Sequence, residues 1–129
     1  MSEIGSEGLA RRVAELADAK QGDAVLVLDM RKLVSYTDFL VICTARNERH
    51  TRAIVEDVKL QVKGELGRMP GGIEGEGADG WIVLDYLDCV MHVFTAEERA
   101  RYQLEDLWRD APRLELAFEA PEASGAASA

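Results

Sequence analysis

The chain has 129 residues, of which 47% are hydrophobic and 30% charged, and these values indicate one globular domain with its own core. Its formal net charge of −9 repels phosphate backbones, which argues against nucleic acid as the main partner and favours a basic protein. No apolar run reaches the ~20 residues of a membrane span, and the acidic, glycine-containing start is unlike a signal peptide, so we expect a cytoplasmic protein.

The first third of the chain predicts a helix followed by two strands. Apolar residues recur with helical spacing over residues 6–20, and Ser6 is a candidate N-cap. Residues 23–30 and 38–44 are apolar, β-branched runs of strand length. The link between these two runs is short, so we expect them to form an antiparallel pair.

A long amphipathic helix is predicted over residues 47–66, with Asn47 as N-cap and Gly67 just past its end. A helix between strands implies a crossover connection and at least one parallel strand pair. The glycine-rich stretch 70–80 has room for one short strand around Ile73. Its acidic residues and its position away from a helix start favour a plain loop over a phosphate-binding loop.

Residues 81–86 and 89–94 predict a hairpin, and a final helix begins directly after it. Thr95 and Glu98 fit a capping box at the start of that helix. The expected buried stripe of the helix comprises Ala100, Leu104, Leu107 and Ala111.

The predicted elements describe an α/β (α+β-like) single domain, with a mixed sheet of about five strands and helices packed on it. We expect the domain to span residues 1–111, because Pro112 stops the last helix. Residues 112–129 are small, polar and proline-punctuated, and predict a disordered C-terminal tail.

Residues suited to catalysis are few. Cys43 and Cys89 lie inside apolar runs, as buried thiols do, and the two histidines lack metal-ligand spacing. His92 is in phase with apolar strand residues, which favours a structural role. The strand-end aspartates Asp29, Asp38 and Asp85 support one alternative, a nucleotidyl- or phosphoryl-transferring enzyme, but no Asp-x-Asp pair lies on a strand. We expect no catalytic residue, no metal and no cofactor.

A basic cluster opens the second helix, formed by Arg46, Arg49, His50 and Arg52. One interpretation is a solvated helix face, and the other is an anion or RNA contact that the helix N-terminus supports. The net negative charge favours the first interpretation, so we expect at most a peripheral contact with RNA.

Aromatic and acidic residues are mixed between Trp81 and Trp108 as nowhere else in the chain. Tyr102 lies about 200° around the helix axis from Leu104 and therefore points away from the expected stripe. An apolar centre with an acidic rim is typical of a protein interface. The alternative is that the tryptophans belong to the core and the tyrosines cover it.

Several blocks of sequence occur in an order that resembles the ribosomal silencing factor family, also called RsfS or Iojap, over about residues 7–111. These blocks are Thr37–Phe39, Ile42–Thr44, Arg49–His50, Ile73–Gly75, Trp81–Tyr86, Asp88, His92–Phe94, Arg99, Tyr102, Leu104–Glu105 and Leu107–Trp108. Two positions depart from the family pattern, since Ala45 and Leu87 stand where glycine is common. Leucine at the second position adds bulk and disfavours a positive φ.

The resemblance implies a protein that binds the large ribosomal subunit through its fourteenth protein, on the face that meets the small subunit. It implies steric blocking of subunit association and repression of translation, without enzymatic activity. It further implies a nucleotidyltransferase-like topology without the active site, and a homodimer when free. Together with the aromatic pattern, it assigns partner binding to Trp81, Asp85, Tyr86, Leu87, Asp88, Tyr102 and Glu105.

Overall fold

Five strands form one mixed sheet in the computed structural model, which describes residues 5–75 and 80–118. In chain order the elements are α1 (Ser6–Ala19), β1 (Asp23–Asp29), β2 (Phe39–Ala45), α2 (Glu48–Leu66), β3 (Gly72–Glu74), β4 (Trp81–Asp85), β5 (Cys89–Thr95), α3 (Ala96–Tyr102) and α4 (Leu104–Leu107). The strand order is β1-β2-β5-β4-β3. Only the central β2–β5 pair is parallel, and the other three pairs are antiparallel. The predicted fold class, the β1–β2 hairpin and the crossover through α2 are therefore confirmed.

The two long helices begin and end in different ways. The Asn47 side chain accepts a hydrogen bond from the His50 backbone N–H at 2.8 Å, which caps α2 as predicted. Gly67 ends α2 in the left-handed conformation, with φ of 67°. In α1 the predicted cap is wrong, because Gly5 is the N-cap and Ser6 is already helical, with no side-chain cap. None of the described helices is both long and apolar enough to cross a membrane.

The two faces of the sheet are covered unequally. α1 and α2 cover one face, where Val27, Val41 and Met91 are fully buried among the apolar stripes of both helices. A smaller cluster on the other face includes Ile42 and Phe94. This second cluster lies over β1, β2 and the end of β5, so the β4–β5 part of the second face is only partly covered.

The predicted final helix is wrong in its length and in its buried stripe. It breaks at Gln103, whose φ of 49° is left-handed, and this break separates α3 from α4. As a result Ala100 is exposed and Leu107 is 66% exposed, whereas Leu104 packs against the second core cluster and Ala111 is buried. The Thr95 cap is confirmed, since its hydroxyl accepts the Glu98 backbone N–H at 3.4 Å.

The chain beyond residue 111 continues to pack against the sheet, so the predicted boundary at 112 is too early. The backbone N–H of Leu114 donates to the Val27 carbonyl at 2.9 Å, and the Asp29 N–H donates to the Pro112 carbonyl at 2.8 Å. Leu116 is buried, and Phe118 packs against the main core. These contacts cover the free edge of β1. The rest of the predicted tail, residues 119–129, lies outside the described residues.

Candidate protein interface

One surface combines half-buried apolar side chains with acidic groups, and it lies on the β4–β5 part of the sheet. Ile82 and Leu84 of β4 face the two long helices and are buried, while the alternate residues face the other way and remain partly exposed. β5 alternates likewise. We call this surface the open face and define it by Trp81, Val83, Asp85, Val90 and His92.

Aromatic rings form one end of the open face. The Trp81 ring packs against both Tyr102 and Phe94, with ring centroids 4.3 Å and 5.0 Å away, and the Phe94 and Tyr102 centroids are 6.4 Å apart. Phe94 is fully buried, whereas Tyr102 is 46% exposed and forms the outer layer of the stack. The bend at Gln103 follows Tyr102 directly, so the helix ends where this ring meets the sheet. The expected exposure of Tyr102 agrees with this placement, although the ring also rests on Trp81.

A hydrogen bond between side chains fixes the centre of the open face. The Trp81 Nε1–H donates to His92 Nδ1 at 3.1 Å. Burial lowers the pKa of His92 to about 4, against an opposing effect of the nearby Asp85 carboxylate. The imidazole is therefore neutral at neutral pH, and its hydrogen bond with Trp81 agrees with the predicted structural role of His92.

The β4–β5 hairpin ends the open face on the other side. Leu87 is 68% exposed and has a φ of 76°, a conformation that costs a non-glycine residue energy. Its backbone N–H donates to Asp85 Oδ1 at 2.7 Å, which holds the turn in shape. Asp88 is half-buried and pairs with Arg68 Nη2 at 2.9 Å. The acidic groups at this end are therefore partly engaged within the chain.

Tyr86 does not belong to this surface, because the structure buries its side chain to 1% exposure. It lies on the helix-covered face, in phase with Ile82 and Leu84. Arg68 contacts it from outside, with its guanidinium carbon 6.0 Å from the ring centroid. Burial raises the pKa of the phenol to about 12. The expected contact role of Tyr86 is therefore corrected to a core role.

Glu105 is also engaged mainly in contacts within the fold. Its Oε2 accepts a hydrogen bond from Arg99 Nε at 3.0 Å, and both side chains are largely buried. Arg99 Nη1 further donates to the Ala24 carbonyl at 2.8 Å and to Thr44 Oγ1 at 2.9 Å. This network ties α3 and α4 to β1 and β2, and so supports the position of Tyr102.

Three open-face residues and one neighbouring acid were missing from the partner-binding residues that the sequence analysis assigned. Val83, Val90 and His92 share the face of Trp81, and Glu74 on β3 pairs with Val83 and is exposed there. The alternation of side chains along each predicted strand indicates which of its residues share one face of the sheet. The register between strands, which places His92 beside Val83, is visible only in the structure.

The residues of the catalytic alternative do not all converge: Asp29 and Asp38 are neighbours at one end of the β1–β2 pair, where the Met30 N–H donates to the Asp38 carbonyl at 2.8 Å, but Asp85 lies apart from them. Asp29 is paired with Arg31 at 2.7 Å, and this partner lowers the pKa of its carboxyl group. Asp85 lies on β4, three strands away from β1, which is about 14 Å at the usual strand spacing. Among residues 5–75 and 80–118, no group of three His, Cys, Asp or Glu side chains converges as a metal site requires. The two cysteines are buried and free, as predicted.

The basic cluster is less basic in the structure than in the sequence. His50 is buried, its Nδ1 accepts the Arg46 backbone N–H at 2.9 Å, and its Nε2 lies 2.8 Å from the Lys20 carbonyl. It therefore joins α1 to α2 instead of facing solvent. The three arginines line a groove that also contains acidic residues, which offset their positive charge; these acids are Glu48, Glu97 and Glu98.

Comparisons with known proteins converge on one family. The family model described as "Ribosomal silencing factor during starvation" matches residues 3–129. The protein "Ribosomal silencing factor RsfS" of Halalkalibacterium halodurans is 34% identical over 113 residues, covering 88% of this chain and 96% of its own length. Its namesake in Bacillus subtilis is 32% identical over 115 residues, covering 89% and 97%. A crystal structure from Chromobacterium violaceum is 25% identical, with a TM-score of 0.78 over 88% of this chain and 93% of that chain.

Proposed function

Because the chain belongs to the ribosomal silencing factor family, we propose that it binds the large ribosomal subunit through that subunit's fourteenth protein and blocks joining of the small subunit. The bound chain occupies space that the small subunit needs, and translation is repressed as a result. This action requires a surface and bulk, and it requires no bond to be made or broken.

The open face is the observation that carries this proposal. Its centre is apolar and partly exposed, and Tyr102 and Leu87 extend it at its two ends. Glu74 and Asp85 add negative charge beside the apolar centre, on a chain whose net charge is −9. An apolar centre with a negative rim is complementary to a basic ribosomal protein.

We assign the contact residues of this proposal according to their exposure and their pairing within the chain. Trp81, Asp85, Leu87 and Tyr102 contact the partner directly, and Val83 joins them at the centre. Asp88 and Glu105 act mainly through their pairs with Arg68 and Arg99, which shape the two ends of the surface. Any RNA contact is peripheral, because acids share the groove of the basic cluster.

We further propose that the free protein is a homodimer. We also propose that it acts in the cytoplasm, where ribosomal subunits meet. Light scattering coupled to size-exclusion chromatography measures the mass of the free chain. A mass of one copy across micromolar concentrations would refute the dimer and leave the ribosomal proposal unaffected.

The proposed activity is tested by subunit association. Purified bacterial large and small subunits are mixed, and their joining is followed by light scattering with and without the full chain. We expect subunit joining to decrease when the large subunits are first incubated with increasing amounts of the chain. Unchanged joining at saturating protein would refute steric blocking.

Calorimetry with magnesium and nucleotide checks the enzymatic alternative, for which we expect no heat of binding.

A further inference from the structure

His92 is central to the open face, and one of its two ring nitrogens has no role in the fold. Val83 is its direct partner across β4, and Trp81 and Asp85 are the diagonal neighbours on the same face. On the other side, Ile42 is its partner on β2 and is fully buried. The imidazole therefore lies in a mostly apolar surface whose nearest charge is the Asp85 carboxylate.

The hydrogen bond from Trp81 fixes which nitrogen carries the proton. An indole nitrogen is only a donor, so His92 Nδ1 must accept, and in the neutral ring the proton then resides on Nε2. Among the described residues, Nε2 has no hydrogen-bond partner. In the described part of the chain, two polar side-chain atoms are enclosed and lack a hydrogen-bond partner, namely Tyr86 Oη and Glu105 Oε1. Nε2 is not one of them, so it is not enclosed. Water therefore reaches Nε2 in the free protein.

This N–H is a directed donor at the centre of a surface that is mostly apolar, with Asp85 and Glu74 at its margin. When a partner covers the open face, the water at Nε2 is lost and the partner must supply an acceptor. A carboxylate is disfavoured, since Asp85 and Glu74 lie nearby and the chain is strongly acidic. An uncharged oxygen, such as a main-chain carbonyl, meets no such repulsion.

We propose that His92 is a specificity-determining contact, which donates a hydrogen bond from Nε2 to an uncharged acceptor oxygen of the large-subunit protein that docks on the open face. This inference rests on the proposed function and adds a polar contact to its apolar surface. Trp81 then has two roles, since it contributes apolar area and also sets the tautomer of His92.

Two substitutions separate the outward donor from the inward acceptor. His92→Asn keeps an acceptor near the position of Nδ1 for the Trp81 N–H and removes the donor at Nε2. His92→Gln places its amide near the position of Nε2 and loses the inward acceptor. Each full-length variant is titrated against purified bacterial large ribosomal subunits, and circular dichroism and thermal unfolding establish that it is folded.

We expect His92→Asn to weaken binding about tenfold and His92→Gln to remain within about threefold of the wild type. Folded His92→Asn protein that binds as well as the wild type would overturn the inference and leave the proposed function intact. The inference also fails if both variants lose affinity in proportion to their loss of stability, because His92 would then only support Trp81. A wild-type chain that does not bind large subunits would overturn both proposals.

Discussion

Arg99 and Glu105 form an ion pair across the bend between α3 and α4, with Arg99 Nε 3.0 Å from Glu105 Oε2. Their side chains are 11% and 26% exposed, so the pair is more enclosed than the other ion pairs of the described residues. Gln103 lies inside this bend in a left-handed conformation. The ion pair therefore holds a strained turn that directly follows Tyr102.

Removal of the Glu105 carboxylate is expected to destabilise the protein. Glu105→Ala leaves the enclosed Arg99 charge without its carboxylate, and we expect a loss of about 2 kcal/mol in the free energy of unfolding. Chemical denaturation measures this change. Arg101→Ala is the matched control, because that side chain is 61% exposed and its ion pair with Glu98 is long, at 3.8 Å. Equal stability of the two variants would contradict the structural role of Glu105.

Leu87 is expected to limit the stability of the hairpin. Leu87→Gly removes the cost of a left-handed leucine, and Leu87→Asn reduces it, so both variants gain up to about 1 kcal/mol of stability. Both lose the exposed apolar side chain, so we expect weaker binding to large subunits despite the gain. Thermal unfolding and co-sedimentation measure the two effects separately. A destabilised Leu87→Gly protein would show that leucine packing outweighs the backbone strain.

Stability is expected to depend on pH through His92. Its pKa is near 4 in the folded protein and about 6.5 in an unfolded chain, so the unfolded state binds more protons between these values. Stability is therefore complete well above pH 6.5 and falls as the pH drops towards 4, by roughly 3 kcal/mol. Urea denaturation from pH 4 to 8 measures this slope. His92→Gln lacks the titrating group, and an unchanged slope in this variant would assign the effect elsewhere.

Tyr102 is expected to be an energetic anchor for the ribosomal partner. Tyr102→Ala removes the outer ring of the aromatic stack, and we expect about a thirtyfold loss of affinity for large subunits, equivalent to ~2 kcal/mol. Tyr36→Ala is the control, because Tyr36 is 63% exposed and lies in the β1–β2 connection, outside the open face. Similar losses in the two variants would indicate a contact surface other than the open face.

The sequence contains enough information for the elements and for much of the sheet. Asn47, Gly67 and Thr95 act locally, through side-chain caps or a left-handed backbone, so short-range chemistry predicts them. Apolar runs of strand length predict four strands, the glycine-rich stretch leaves room for the short strand around Ile73, and the crossover through α2 implies the parallel pair. The aromatic pattern also groups Trp81 with Tyr102, and the structure brings the two ring centroids to 4.3 Å.

Long-range contacts account for the failures. Periodicity predicts one continuous final helix, but Arg99 bonds to Ala24 and Thr44, far away in the chain, and the helix bends at Gln103. Tyr86 follows the β4 alternation onto the covered face, a result that depends on which face α2 occupies. The apolar residues after Pro112 cover the edge of β1. The prediction of a disordered tail, which rests on composition, misses this packing.

The central claim is that the open face binds the large subunit, and Val83 at its centre provides the most direct test. Co-sedimentation with purified bacterial large subunits is measured for the wild type, Val83→Arg and Leu60→Arg, all confirmed as folded by circular dichroism. Leu60 is the control because it is 66% exposed on α2, which covers the opposite face of the sheet. We expect the wild type and Leu60→Arg to sediment with the subunit and Val83→Arg to stay in the supernatant. Binding of Val83→Arg equal to that of the wild type would contradict binding through the open face.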